Sequence, residues 1–443
     1  MSPNSFCEKL TAIIIETFDE LTPIQSKNFK YRENYFITDE IKSIIKNKNK
    51  IYSKLQRAIK QNHSNVNELQ IQYKKHKNFC NHLIRDSKKN FYVNSIEENR
   101  NNSKKLWKIL SKVIETKKSK KSTNKLEIDV NLLNDHFIKS ASELTNCFPQ
   151  NVSQRHREKL STFSINTMTE ELVVKYVMQL KNNKSSGFDG ITTKMLKMSI
   201  HALKPHITCL FNMIIKNNNF PDFWKISTIT PILKSGDKTD PNNYRPISVL
   251  SVLSKVCEKH LFNEIKSFLD KNNIINDRQF GFRPKHSTTD CLLAVQNDIC
   301  NARNRSEYVC ALSLDLKKAF DLVNHQKMID KLNKCGLNGV SQLIESFLSD
   351  RKQLIKIGEE ESDIKSLNKL SVIQGSTLGP LFFNIFINDV FKLKISGNIY
   401  AFADDMTVII SDKNILNLNK KVNKSLKILG EYFKENHLLL NPE

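Results

Sequence analysis

The stretch Ile399-Tyr400-Ala401-Phe402-Ala403-Asp404-Asp405-Met406-Thr407-Val408-Ile409-Ile410 sets two adjacent carboxylates between two apolar, β-prone runs. Such a pattern predicts a hairpin with both acids near its tip. Neighbouring carboxylates between apolar strands repel one another and lose solvation unless something compensates. Upstream, Val309-Cys310-Ala311-Leu312-Ser313-Leu314-Asp315-Leu316-Lys317-Lys318-Ala319-Phe320-Asp321 predicts a short buried strand with an acid at its C-terminal end. Carboxylates carried by separate strands can hold two divalent cations about 3.5–4 Å apart for in-line attack on a phosphate. Mg²⁺ takes oxygen ligands and few of them from protein, so two or three Asp suffice. Taken alone, an Asp-Asp pair is a common dipeptide and reads more readily as a polar turn.

Charge narrows the choice. The 443 residues carry 69 Lys plus Arg against 46 Asp plus Glu, a net +23, with 39% hydrophobic residues and 25 Phe. That content excludes a wholly disordered chain, and the charge implies a polyanionic partner, a nucleic acid or an anionic membrane surface. No apolar run approaches the roughly 18–20 residues that span a bilayer. Ala12-Ile13-Ile14-Ile15, flanked by Glu8 and Glu16, is too short for a signal peptide. Nine Cys with no C-x-x-C pair argue against a secreted disulfide scaffold and suit reduced thiols in the cytosol or nucleus.

The excess is concentrated at the start: residues 1–125 hold 27 Lys or Arg and 12 Asp or Glu. This region reads as a basic helical arm. Thr38 is the expected N-cap of one helix, followed by Asp39 and Glu40 in the favoured first turn. A second apolar series runs from Leu69 to Phe91, and a third centres on Leu106, Trp107 and Leu110. These stripes read as packing faces, and Lys117–Lys125 as an exposed linker. A connecting segment over 126–164 follows. From about residue 165 an amphipathic helix stops at Lys184-Ser185-Ser186-Gly187-Phe188-Asp189-Gly190, where Asp189 reads as a turn acceptor. Helix and strand patterns then mix without strict alternation, so the expected class is α+β.

The two acidic segments stand in a longer series of motifs. Phe220-Pro221-Asp222-Phe223-Trp224-Lys225, Pro231-Ile232-Leu233-Lys234-Ser235-Gly236-Asp237 and Asn243-Tyr244-Arg245-Pro246-Ile247-Ser248 come first. Gln279-Phe280-Gly281-Phe282-Arg283-Pro284, the Asp315 block, Gln374-Gly375-Ser376-Thr377-Leu378-Gly379-Pro380 and Phe402-Ala403-Asp404-Asp405 complete it. In order and spacing, residues 165–443 resemble the reverse transcriptase of non-LTR (LINE-type) retrotransposons, near the jockey and chicken-repeat groups.

The resemblance implies a right-hand polymerase, with fingers at about 165–300 and palm at about 301–443. It implies Asp315, Asp404 and Asp405 as the catalytic acids and metal ligands, with two Mg²⁺ ions as cofactor and Mn²⁺ as a substitute. Lys234 and Arg245 are implied at the triphosphate, and Gln374 and Gly375 at the nascent base pair. Phe320 is implied under the incoming sugar, where a ring would exclude a ribose 2′-hydroxyl, and Arg283 at the template backbone. The implied partners are an RNA template, a DNA primer and deoxynucleoside triphosphates, with no membrane, in a cytoplasmic ribonucleoprotein or the nucleus. The chain departs from the family at Val372-Ile373-Gln374-Gly375, which lacks the usual Pro before Gln; the loop is therefore expected to be less rigid. His437-Leu438-Leu439-Leu440-Asn441-Pro442-Glu443 resembles the opening of the next palm motif, so the reading expects truncation before the thumb. Two rival readings share the fold: a catalytically dead RNA-binding remnant and an intron-maturase-type splicing cofactor.

Overall fold

The computed structural model describes residues 2–23, 35–61, 63–113, 128–145 and 163–441. The expected linker Lys117–Lys125, residues 146–162 of the connecting segment, and Pro442-Glu443 lie outside the described residues. The chain divides into two compact units, one of residues 24–124 and one of residues 1–23 with 125–443. The expected arm over 1–125 therefore does not coincide with either unit. Helix α1 (Pro3–Leu21) buries Cys7, Leu10 and Ile14 in the main core of the larger unit. Asn4 also exchanges two hydrogen bonds with Asp222 there. Its apolar face requires a partner, and this one is supplied by residues some two hundred positions away.

The smaller unit contains α2 (Asp39–Lys60), α3 (Val66–Glu98) and α4 (Ser103–Val113). Thr38 caps α2 by accepting from the Ile41 amide, with Asp39 and Glu40 in the first turn as expected. The stripe along α3 is not a buried packing face: Cys80 is its one buried residue among those described, and Ile71 and Phe79 are exposed. The unit carries 25 Lys or Arg against 8 Asp or Glu, so most of the chain's positive excess resides in it.

In the larger unit the helices continue as α5 (Val130–Thr145), α6 (Glu170–Gln179), α7 (Thr193–Asn217), α8 (Val252–Lys271) and α9 (Thr288–Asn304). They end with α10 (His325–Lys334), α11 (Ser341–Leu348), α12 (Gly379–Ile387) and α13 (Ile415–Glu435). One sheet joins β1 (Ile226–Leu233) to β2 (Tyr244–Val249) in an antiparallel hairpin. Its other neighbour is the parallel strand β5 (Lys352–Ile357). The second sheet is built on β3 (Tyr308–Leu314), β6 (Asn398–Phe402) and β7 (Asp405–Asp412), all antiparallel with β7 in the centre. A two-residue pairing of β4 (Leu316–Lys317) with β8 (Leu439–Leu440) extends the path of β3. The mixture is α+β, as expected, and the predicted strand and hairpin around the acids are β3 and β6–β7.

The core explains why this arrangement holds. Met406, Val408 and Ile410 on one face of β7 are buried, as are Phe382, Phe383 and Phe386 of α12 and Phe211, Phe220 and Trp224 near β1. An aromatic side chain buries about 150–250 Å², so these residues supply a large share of the apolar burial. Among the described residues no helix is long and apolar enough to cross a membrane.

Candidate active site

The hairpin β6–β7 closes through Phe402 opposite Asp405, leaving Ala403 and Asp404 as a two-residue turn. Beside it, β3 pairs with β7 as far as Leu314 opposite Met406. Continuing that register by one residue brings Asp315 level with Asp405, on the face that carries Ser313 and Thr407. Asp315 and Asp404 both line a cleft of about 790 Å³. Asp405 is exposed at the first position of β7 and is not among the lining residues. Burial pushes the Asp404 carboxyl above the usual carboxylate range, and the charges of Asp405 and Asp315 push it further, while Arg245 opposes them.

Basic groups come from the other sheet. In the β1–β2 hairpin Ile232 faces Arg245, and the Lys234 amide donates to Asn243 O at 2.8 Å. The period of two places Lys234, Ile232 and Arg245 on one side of the ribbon. Lys234 and Arg245 line the same cleft as Asp315 and Asp404.

Phe320 lines the same cleft. Its ring stacks on Phe383 with centroids 4.5 Å apart, and Phe282 meets it edge-on at 6.0 Å. These contacts leave the ring little freedom, and it forms part of the cleft floor.

The loop before α12 carries Gln374 and Gly375. Gln374 donates from Nε2 to Asp321 Oδ1 at 3.0 Å, and its carbonyl accepts from the Ser248 amide at 2.8 Å. Gly375 has φ of +124°, and a Cβ there would fall 2.2 Å from Ser248 O. Only glycine fits so close to β2. The missing Pro is offset by other ties. Ser376 Oγ donates to Ile373 O and accepts from the Gly379 amide, and the Thr377 amide donates to Glu258 Oε2 at 2.7 Å. Glu258 is fully buried beside the buried Arg351, whose guanidinium burial pushes down to about 10. Burial in turn raises the Glu258 carboxyl.

Arg283 does not line the cleft. Its Nη1 donates to Asn276 O at 2.9 Å and to Gln279 O at 3.2 Å, so the guanidinium holds its own loop. Several cleft residues escape the sequence reading. Asp321 holds Gln374, and Asn441 donates to Asp315 Oδ2 at 3.0 Å through its side chain and to Asp315 O at 2.8 Å through its amide. Phe282 forms a wall, as do His136, Phe137 and Ser140 of α5. Asp321 and Phe282 stand inside quoted motifs, which was their only signal.

The donor set suits a hard divalent cation. Asp315 and Asp404 offer carboxylate oxygens without a soft ligand nearby. No group of three or more His, Cys, Asp or Glu positioned to hold a metal occurs among the described residues.

A hairpin bearing paired acids, a third acid at the end of the adjoining strand and basic residues of a second hairpin thus belong to one site. Residues 232–443 match the family model described as reverse transcriptase (RNA-dependent DNA polymerase). It is 29% identical over 321 residues to the probable RNA-directed DNA polymerase from transposon BS of Drosophila melanogaster, covering 67% of this chain and 35% of that protein. To the probable RNA-directed DNA polymerase from transposon X-element of the same organism it is 32% identical over 241 residues, 53% of this chain and 26% of that one. The chain thus spans about a third or less of these relatives. Among solved structures, an apo telomerase from Candida tropicalis truncated from its C-terminal domain aligns with 59% of each chain at 17% identity and a TM-score of 0.33. A reverse transcriptase domain implies a divalent metal.

Proposed function

We propose that this chain is the RNA-directed DNA polymerase portion of a non-LTR retrotransposon protein, extending a DNA primer 3′ end with deoxynucleotides along an RNA template. The observation that carries this reading is the meeting of Asp315 and Asp404 in one cleft with Lys234, Arg245, Phe320 and Gln374. In this reading the fingers run over about residues 165–300 and the palm from about 301, with Asp405 supporting the turn from outside.

Mg²⁺, held by Asp315 and Asp404, would supply positive charge at the reacting phosphate and ease ionisation of the primer hydroxyl. The other roles belong to the chain. Lys234 and Arg245 meet the triphosphate, the first as a point charge and the second as a planar fork. Phe320, pinned between Phe383 and Phe282, closes the space a ribose 2′-hydroxyl would need. Gln374, oriented by Asp321, and the bare backbone at Gly375 border the new base pair. Asn441 orients the Asp315 carboxylate.

The test is primer extension on poly(rA)/oligo(dT) with dTTP and Mg²⁺ at low salt, wild type beside Asp404→Ala. Extension by the wild type, lowered at least a thousand-fold in the variant, is the expected result. Equal extension by both, or none by either, refutes the proposed activity.

A further inference from the structure

We propose that Gln279 is a positioning residue for the catalytic turn: its side-chain amide clamps Ala403 in a left-handed conformation and thereby aims Asp404 into the cleft. The inference rests on the polymerase reading above and assigns a role to a residue far from the acids in sequence. Ala403 has φ of +62°. A residue with a Cβ pays a steric cost there, and two-residue hairpin turns with a positive φ at this position ordinarily use glycine. Something must hold Ala403 against that cost.

Gln279 is fully buried and supplies the hold. Its Oε1 accepts from the Ala403 amide at 3.0 Å and from the Gly281 amide at 2.9 Å, while its Nε2 donates to Ala403 O at 3.3 Å. Both polar groups of the strained residue are thus bonded to one side chain. The flanking backbone adds to this. Phe280 N donates to Ala401 O at 2.8 Å, and Ala401 N donates to Arg278 O at 2.9 Å. Gly281 lies against the turn so closely that a Cβ on it would fall 2.1 Å from Ala403 N. The clamp is itself anchored. Arg283 ties Asn276 and Gln279, Asn384 of α12 donates to Gly281 O at 2.8 Å, and Asn388 Oδ1 accepts from the Asn276 amide.

Gln279 touches no reacting atom, so its effect passes through Asp404. Gln279→Met keeps much of the side-chain volume and removes the three hydrogen bonds. Ala403→Gly removes the steric cost the clamp offsets. Two readouts are needed. Hydrogen exchange in peptides covering 399–406 reads the clamp without catalysis, and steady-state nucleotide addition reads its consequence. In Gln279→Met, exchange at the turn should quicken about ten-fold or more. The value of kcat should fall by a similar factor, with KM for the nucleotide nearly constant and the rest of the domain exchanging as in the wild type. Adding Ala403→Gly to Gln279→Met should recover most of the lost kcat. Unchanged exchange at the turn overturns the proposal, and so does a loss of kcat that Ala403→Gly fails to recover. If the wild type extends no primer, the polymerase reading falls, while the exchange result still decides the clamp.

Discussion

Asp189 is a carboxylate whose burial has a measurable cost. One oxygen accepts from the Ile191 amide and the other from the Ser251 hydroxyl, the turn-acceptor role its glycine-flanked setting suggests. Burial nevertheless pushes it up to about 6 from an ordinary value of 3.8. The native state therefore holds this proton more tightly than the unfolded chain. The stabilising contribution is complete below about pH 4 and is lost as pH rises through about 6, amounting to about 3 kcal/mol over that window. Asp189→Asn keeps an acceptor oxygen for the Ile191 amide, turns a donor NH2 toward the Ser251 hydroxyl oxygen and removes the titration. Urea unfolding at pH 4.5 and pH 7 should show the wild type losing stability relative to the variant as pH rises; a pH-independent gap would contradict the assignment. Asp404 is raised for the same first reason, and two acid neighbours add to it. There, on the proposed function, a bound cation would relieve the cost. Sequence distinguishes these cases through the company each acid keeps: Asp189 sits between glycines, Asp404 beside Asp405 and between strands. It is silent on Gln279, whose importance depends on a backbone dihedral at Ala403 that no residue type announces.

The elements differ in how openly they are written. The hairpin β6–β7 was legible from two apolar runs flanking a polar pair and β3 from its compact apolar run, because both patterns are local. Helix α5 was not, since what fixes it is long-range. Asn134 is buried in the larger unit, donating to Ser362 Oγ and Asp363 O and accepting from Gln353 Nε2, all more than two hundred residues away. An Asn in a helical run carries no mark of such a partner. This attachment seats His136, Phe137 and Ser140 in the wall of the cleft. Asn134→Ala leaves a buried Gln353 donor and the Asp363 carbonyl without that partner. It should destabilise the larger unit by about 2–3 kcal/mol in urea unfolding and raise KM for the nucleotide more than it lowers kcat. A stability within about 0.5 kcal/mol of wild type would show that α5 is held by its apolar face alone.

At the scale of the molecule, the cleft gathers side chains from residue 136 to residue 404, across two sheets and the loop before α12. The positive charge is distributed otherwise. It belongs mainly to residues 24–124, a unit with few buried apolar residues and a large basic excess, composition suited to contacting phosphates along a nucleic acid. Fold class and acids were accessible from motif order, since each motif brings its own local pattern. The closure of the cleft by Phe282 and α5 and the hold of Asn441 on Asp315 were inaccessible, because those contacts exist only once the segments are folded together. On the proposed function, Asp315 and Asp404 jointly hold the divalent cation. This is tested most directly by replacing that cation with Fe²⁺, which oxygen ligands also accept, and mapping backbone cleavage by the hydroxyl radicals it generates with ascorbate and peroxide. Cuts should cluster around residues 315 and 404, be suppressed by competing Mg²⁺ and disappear in Asp404→Ala. Cuts confined to other segments, or cuts at 315 that persist in Asp404→Ala, would contradict it.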